Sequence, residues 1–243
     1  MIADNQGIVN VLCKNKNERL IIAIMFITRL AYISFLCVSL LLSINVQAHP
    51  HSWIDIKTVV VGDANNITGF DMSWTFDTVT SAYMVDGKDF SKETDESKAQ
   101  AFQKIADSVM NNLTLQHYFT YFYDDDKPVK FTVSQGGSLS QHKLKFTLKF
   151  FLPLSKPHPI NANPLKLMVF EPSYYVQMSW LKEQDITLSP ALAKQCSLNL
   201  VEPNPTSKQL AYAMSKPPDD IPDNELGELF SQRVLIQCSH HKG

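Results

Sequence analysis

The chain has 243 residues, with 22 Lys plus Arg against 24 Asp plus Glu, a formal net charge of −2 and 44% hydrophobic side chains. A near-neutral charge without a basic block excludes the electrostatic footprint of a nucleic-acid or anionic-membrane binder. The length suffices for one core or two small packed lobes.

A leader comes first in chain order. From Met25 the chain carries a positive charge at Arg29, an apolar run from Leu30 to Ile44, and then Val46-Gln47-Ala48, the small-residue ending of a secretory signal. Residues 1–48 therefore read as a signal peptide cut after Ala48, leaving 49–243 as a soluble exported domain. Residues 1–24 add Lys14, Lys16, Arg19 and a second apolar run, Leu20–Ile27, and fit a start placed upstream of a true Met25. The alternative is an uncleaved anchor, because the apolar stretch approaches the span of a bilayer; an anchor has no use for the Val-x-Ala ending. No later segment is apolar enough to span, so no stable membrane insertion is expected after cleavage. Without the four basic and two acidic residues of the leader, 18 basic and 22 acidic side chains remain, a net charge of −4.

Cleavage makes His49 the first residue, followed by Pro50, His51, Ser52, Trp53, Ile54 and Asp55. A free amine and two imidazoles at one end suit zinc, copper, nickel or cobalt. Trp53–Val61 and Ile67–Phe76 form a predicted hairpin around the turn cluster Gly62–Asn66. Phe70, Met72, Trp74 and Phe76 alternate with Asp71, Ser73, Thr75 and Asp77; Ile54, Ile56 and Val60 share one face of the first strand, while His49, His51, Trp53 and Asp55 take the other. With Val61 opposite Ile67, His51 faces Asp77, Trp53 faces Thr75 and Asp55 faces Ser73. Such a carboxylate either joins the imidazole on a metal or fixes its tautomer. A one-residue slip puts Asp77 on the other face.

The amino-terminal copper/nickel chelate needs deprotonated amides at residues two and three, and Pro50 has no N–H to lose. What remains is the amine and ring of His49, the ring of His51 and a carboxylate from Asp77 or Asp55, a tetrahedral set in which zinc is preferred over nickel, cobalt or copper. The competing reading is that two histidines on a loose terminus bind nothing tightly.

Asp86–Glu96 reads as a solvated connection, since it lacks the oxygen spacing and glycine position of a calcium loop. Thr94 caps a helix with Asp95 and Glu96 in its first turn, and Ala99, Phe102, Ile105, Ala106, Val109, Met110 and Leu113 form its core stripe. Period two then returns. Strands are predicted at Tyr118–Tyr123 and Val129–Ser134, at Lys143–Leu152 after a turn at Gln135–Ser138, and at Leu165–Phe170 and Tyr174–Trp180 around Glu171-Pro172-Ser173. Shorter ones are predicted at Asp185–Leu188, Ser197–Val201 and Arg233–Cys238, with a Pro-rich loop at 202–224.

Cys13 and Cys37 leave with the leader, so Cys196 and Cys238 form an even pair in an oxidising compartment and are expected to be disulfide-bonded. Their wide spacing disfavours a thiolate metal site. No Gly-x-Ser-x-Gly elbow, phosphate loop or His-Glu-x-x-His helix occurs, and no enzyme activity is expected. His117, His142 and His158 read as surface residues, and His240-His241 as a frayed tail. The expected fold is α+β and β-rich, with mainly antiparallel sheets packed with one main helix and one disulfide.

The blocks His49-Pro50-His51-x-Trp53-Ile54-Asp55, Trp74-Thr75-Phe76-Asp77 with Ser81-Ala82-Tyr83, Tyr118-Phe119-Thr120-Tyr121, Glu171-Pro172-Ser173-Tyr174-Tyr175, and Cys196 with Leu229–Val234 before Cys238 follow one another in a characteristic order. In that order the chain resembles a bacterial family of unknown function. Its members are periplasmic, are described as periplasmic components of an uncharacterised ABC-type transport system, and are encoded beside or fused to nickel/cobalt (NicO-type) permeases. The resemblance implies a periplasmic accessory of an inner-membrane permease for zinc, nickel or cobalt. Two departures are Thr78, where relatives often carry an acidic residue, and Glu171, where they carry Asp. An N-terminal histidine also serves copper-dependent oxygenases, and a structural transporter subunit without a metal site is a third class.

Overall fold

The computed structural model describes residues 25, 27–34, 50–160, 163–215 and 226–239. The chain divides into two units, residues 1–46 and 47–243. In the first, residues 27–34 are helical. The expected cleavage site at Ala48, His49, His240-His241 and residues 216–225 of the Pro-rich loop lie outside the described residues. Among the described residues, no helix is long and apolar enough to cross a membrane.

The second unit is α+β and β-rich. It runs β1 Ser52–Gly62, β2 Asn66–Phe76, α1 Thr78–Met84, α2 Asp95–Leu115, β3 Thr120–Asp124, β4 Lys127–Pro128, β5 Gly137–His142 and β6 Lys145–Pro159. It continues with β7 Leu165–Val169, β8 Val176–Ser179, β9 Ile186–Leu188, β10 Cys196–Val201, α3 Ser207–Ser215, α4 Leu226–Leu229 and β11 Arg233–Cys238. One sheet has the order β5-β6-β2-β1-β8, with β9 also on β1, and the other has the order β10-β11-β7-β3-β4. Pairing is antiparallel except where β1 meets β8 and β9 in parallel. Both strands of the first hairpin are half-buried: Ile54, Ile56 and Val60 from β1 and Phe70, Met72 and Trp74 from β2 turn inward. The inner faces of the sheets meet where Phe70 packs edge-on to Phe122, with ring centres 5.1 Å apart.

The hairpin register differs from the expected one by two residues. Asp63 closes the turn, its Oδ1 accepting the N–H groups of Asn65 at 2.7 Å and Asn66 at 2.8 Å, so that Gly62 rather than Val61 stands opposite Ile67. A bulge then leaves Thr68 without a partner and puts Val61 opposite Gly69. An even shift preserves which residues face inward but changes who meets whom: Asp55 pairs with Thr75 and Lys57 with Ser73. Asp77 consequently lies beside Trp53, not His51.

Helix α2 begins as expected, with Thr94 Oγ1 accepting the Ser97 N–H at 3.2 Å. Ala106, Met110 and Leu113 are buried, whereas Ala99, in the first turns, is exposed. The second half of the predicted turn at Gln135–Ser138 is strand: Gly136, with φ of 118°, precedes β5 at Gly137–His142, and the hairpin into β6 turns where Lys143 is left-handed with φ of 55°. Val129–Ser134 is not a regular strand. It leaves the second sheet and crosses to β6, Thr132 N–H donating to Pro153 O at 3.0 Å and Ser155 N–H to Lys130 O at 2.8 Å. The chain enters β3 through a 3-10 turn at His117–Phe119, which shortens the strand predicted from Tyr118. Within the Pro-rich stretch, Ser207–Ser215 forms α3, and the disulfide joins Cys196 and Cys238, direct partners across β10 and β11.

Candidate functional site

Asp77 follows the last residue of β2 and is the N-cap of α1. Its Oδ1 accepts the N–H of Val79 at 2.8 Å and of Thr80 at 3.0 Å. Its Oδ2 accepts the Thr80 hydroxyl at 2.6 Å, the Trp53 N–H at 3.0 Å and the Ser52 hydroxyl at 3.3 Å. Partial burial opposes ionisation of this carboxyl, but the Thr80 hydroxyl and the N–H groups of Trp53, Thr80 and Val79 outweigh it and hold the pKa down at about 2. The carboxylate is thus saturated by donors of the protein itself. One turn on, the buried Ser81 hydroxyl donates to Phe76 O at 3.3 Å and accepts the Phe146 N–H at 3.0 Å, tying α1 to β6.

His51 stands just before β1 and is exposed. Its N–H donates to Tyr175 O at 2.9 Å, and its ring stacks on Tyr175 with centroids 4.6 Å apart and planes at 27°. Glu171 builds the turn that presents Tyr175. Its Oε1 accepts the Ser173 N–H at 2.9 Å and its Oε2 accepts the Tyr175 N–H at 2.7 Å, while the Ser173 hydroxyl bonds both oxygens. From the other side, Gly227 N–H donates to Pro172 O at 2.7 Å. Tyr174, left-handed at φ 60°, stacks on Phe230 at 4.5 Å. Two segments more than a hundred residues apart thereby converge on one end of the first sheet.

The expected ligands fare unequally. His49 lies outside the described residues, His51 is ordered against Tyr175, Asp77 is the cap, and Asp55 pairs with Lys145 Nζ at 3.5 Å on the outer face. Among the described residues no three His, Cys, Asp or Glu side chains cluster as a metal site, so His51, Asp77 and Asp55 do not form one together. Of the expected ligands that are described, His51 is the one left exposed at this end. Tyr175, against His51, and Trp53, two residues on, are exposed, as are Val79 and Tyr83 on α1. Sequence reasoning singled out the Glu171–Tyr175 block without giving Glu171 or Tyr175 a role, and gave none to Thr80 or Ser52. A signal existed for Thr80: an aspartate at a strand end, followed by Thr-Val-Thr, is an N-cap pattern.

The chain belongs to the family described as Protein of unknown function (DUF1007), whose profile matches residues 34–238. A Haemophilus influenzae protein described as an uncharacterized protein is 34% identical over 206 residues, covering 84% of this chain and 97% of its own. No solved structure matches the chain.

Proposed function

We propose that this chain is an exported, periplasmic accessory protein that passes a divalent transition metal to or from an inner-membrane permease of the NicO type, with zinc the first candidate and nickel or cobalt next. The metal is cargo. Its contact is the His49-Pro50-His51 end, the signal peptide being removed after Ala48 to free the His49 amine. The observation that carries this reading is the stacking of the His51 imidazole on Tyr175. An exposed ring already held in place loses less freedom when it binds. Because Asp77 and Asp55 are engaged by the helix cap and by Lys145, the described residues of this end offer few further donors, which leaves metal positions for the next carrier. The resemblance to proteins encoded beside NicO permeases supplies the partner.

In cells, removing this protein should shift zinc, nickel or cobalt content in the same direction as removing the permease, and His51→Ala should reproduce the deletion. Unchanged metal content in single and double deletions, under both starvation and excess, would overturn the transport role.

A further inference from the structure

Away from His51, a cavity of about 740 Å³ opens between α1, residues 87–91, α2 and the tip of the β5–β6 hairpin. Its floor is aromatic. Phe90 packs edge-on to Phe102 with centroids 5.2 Å apart, and Phe102 edge-on to Phe146 at 5.1 Å. Thr78, Ser91 and Gln141 also line the cavity, and the buried Ser81 hydroxyl beside the aromatic rings is already engaged by Phe76 O and the Phe146 N–H. The rim is cationic: Lys88, Lys98 and Lys143 line it with Asp89 as the single lining carboxylate, and Lys98 Nζ also stands 3.9 Å from the exposed Asp95 carboxylate on α2. Asp89 is turned into its own loop, its oxygens accepting the N–H and the hydroxyl of Ser91, each at 2.8 Å. Lys88 Nζ lies 5.4 Å from the Phe90 ring centre, which brings a positive charge to the edge of the aromatic floor. Leu144 stands 72% exposed at the hairpin tip, beside a lysine in the left-handed region.

We infer that this cavity binds a free amphiphilic anion, an aliphatic chain ending in one carboxylate, with its body on Phe102, Phe146 and Leu144 and its head among Lys88, Lys98 and Lys143. The volume falls in the range of small-molecule sites, roughly 300–1,000 Å³. The charge surplus at the rim selects an anion over a cation. A bilayer surface is the wrong partner, since polybasic lipid-binding patches carry about four to eight basic residues and only Lys88, Lys98 and Lys143 line this cavity.

The test is an amide-resolved NMR titration of the purified protein with decanoate below its micelle concentration, with decylammonium and butyrate in parallel and phosphatidylglycerol vesicles in a sedimentation arm. Decanoate should shift the amides of Phe90, Phe102 and Phe146, while butyrate and decylammonium should bind at least about ten-fold more weakly, lacking the apolar body or the charge match. The double substitution Lys98→Gln/Lys143→Gln should weaken decanoate about ten-fold, and Leu144→Asp, at an exposed position where folding is not at stake, should do the same. Decanoate shifts confined to other regions, equal affinity for decylammonium, or vesicle binding without decanoate binding would each overturn the inference.

Discussion

Trp53 and Asp77 hold each other in both directions: the Asp77 N–H donates to Trp53 O at 3.0 Å, and the Trp53 N–H donates to the Asp77 carboxylate at 3.0 Å. That reciprocal pair fixes the end of the β1–β2 ladder, and the same carboxylate starts α1. Loss of an N-cap alone costs roughly 0.5–2 kcal/mol, and Asp77→Ala also strands the Trp53 N–H, while the Ser52 and Thr80 hydroxyls keep each other as partners at 2.6 Å. Urea denaturation should show a loss of about 2 kcal/mol or more for Asp77→Ala.

The same residue gives a pH signature. Its carboxyl is held at about 2 in the folded chain against an ordinary 3.8, so its contribution is complete above about 3.8 and disappears as pH falls through about 2. The stability gap between the protein and Asp77→Asn should therefore be constant from pH 7 to about pH 4 and close below that. A gap that persists unchanged at pH 2 would show that the cap does not depend on charge.

The disulfide spans a sequence separation of 42. On the chain-entropy account, closing a loop of that size stabilises the fold by about 4 kcal/mol. Reductant should lower the urea midpoint accordingly, and thiol labelling under denaturing conditions should find free cysteines at 196 and 238 only after reduction. Coincident unfolding curves with and without reductant would contradict the pairing's contribution.

His117, Tyr118 and Phe119 are three successive non-glycine residues with φ of 50°, 55° and 47°. Left-handed backbone costs roughly 1–2 kcal/mol per such residue, held here by Tyr118, whose hydroxyl accepts the Ser134 N–H at 3.0 Å. At the exposed His117, substitution to Gly relieves the clash against a smaller entropic cost, for a net gain of roughly 0.5–1 kcal/mol. A loss of stability in thermal unfolding would mean that the His117 side chain makes contacts worth more than the strain.

Much of this was legible in the sequence because it depends on period: the inward faces of β1 and β2, the Thr94 cap of α2, and β11 at Arg233–Cys238. Register was not, since it turns on one Asx turn at Asp63 and one bulge at Thr68, and together they displace His51 from Asp77 without moving either strand's buried face. Helix α1 is only seven residues long, too short for a 3.6-residue stripe to stand out, and the pairing of Asp77 with its own helix was hidden with it. The partnership of His51 with Tyr175 arises from parallel pairing of β1 with β8, which no local pattern specifies.

Gly227 binds the Glu171 turn from the side of α4. A Cβ there would collide with the Glu171 carbonyl and press on Phe170, both held by their neighbours. Gly227→Ala should destabilise by about 1–3 kcal/mol, the usual cost of overpacking, and should weaken the ordering of Tyr175 seen as chemical-shift changes at His51. Equal stability and unchanged His51 resonances would show that the turn accommodates the methyl group.

The metal-handling claim is tested most directly by calorimetric zinc titration of four forms: protein cleaved after Ala48, the same protein with one extra residue before His49, His51→Ala and Asp77→Asn. The account predicts that the extra residue and His51→Ala each weaken zinc binding by about ten-fold or more. Asp77→Asn, whose carboxylate is the helix cap, should leave affinity within about two-fold while the protein stays folded. Zinc affinity unchanged by the extra residue and by His51→Ala would contradict the account, and would place any metal contact away from the His49-Pro50-His51 end.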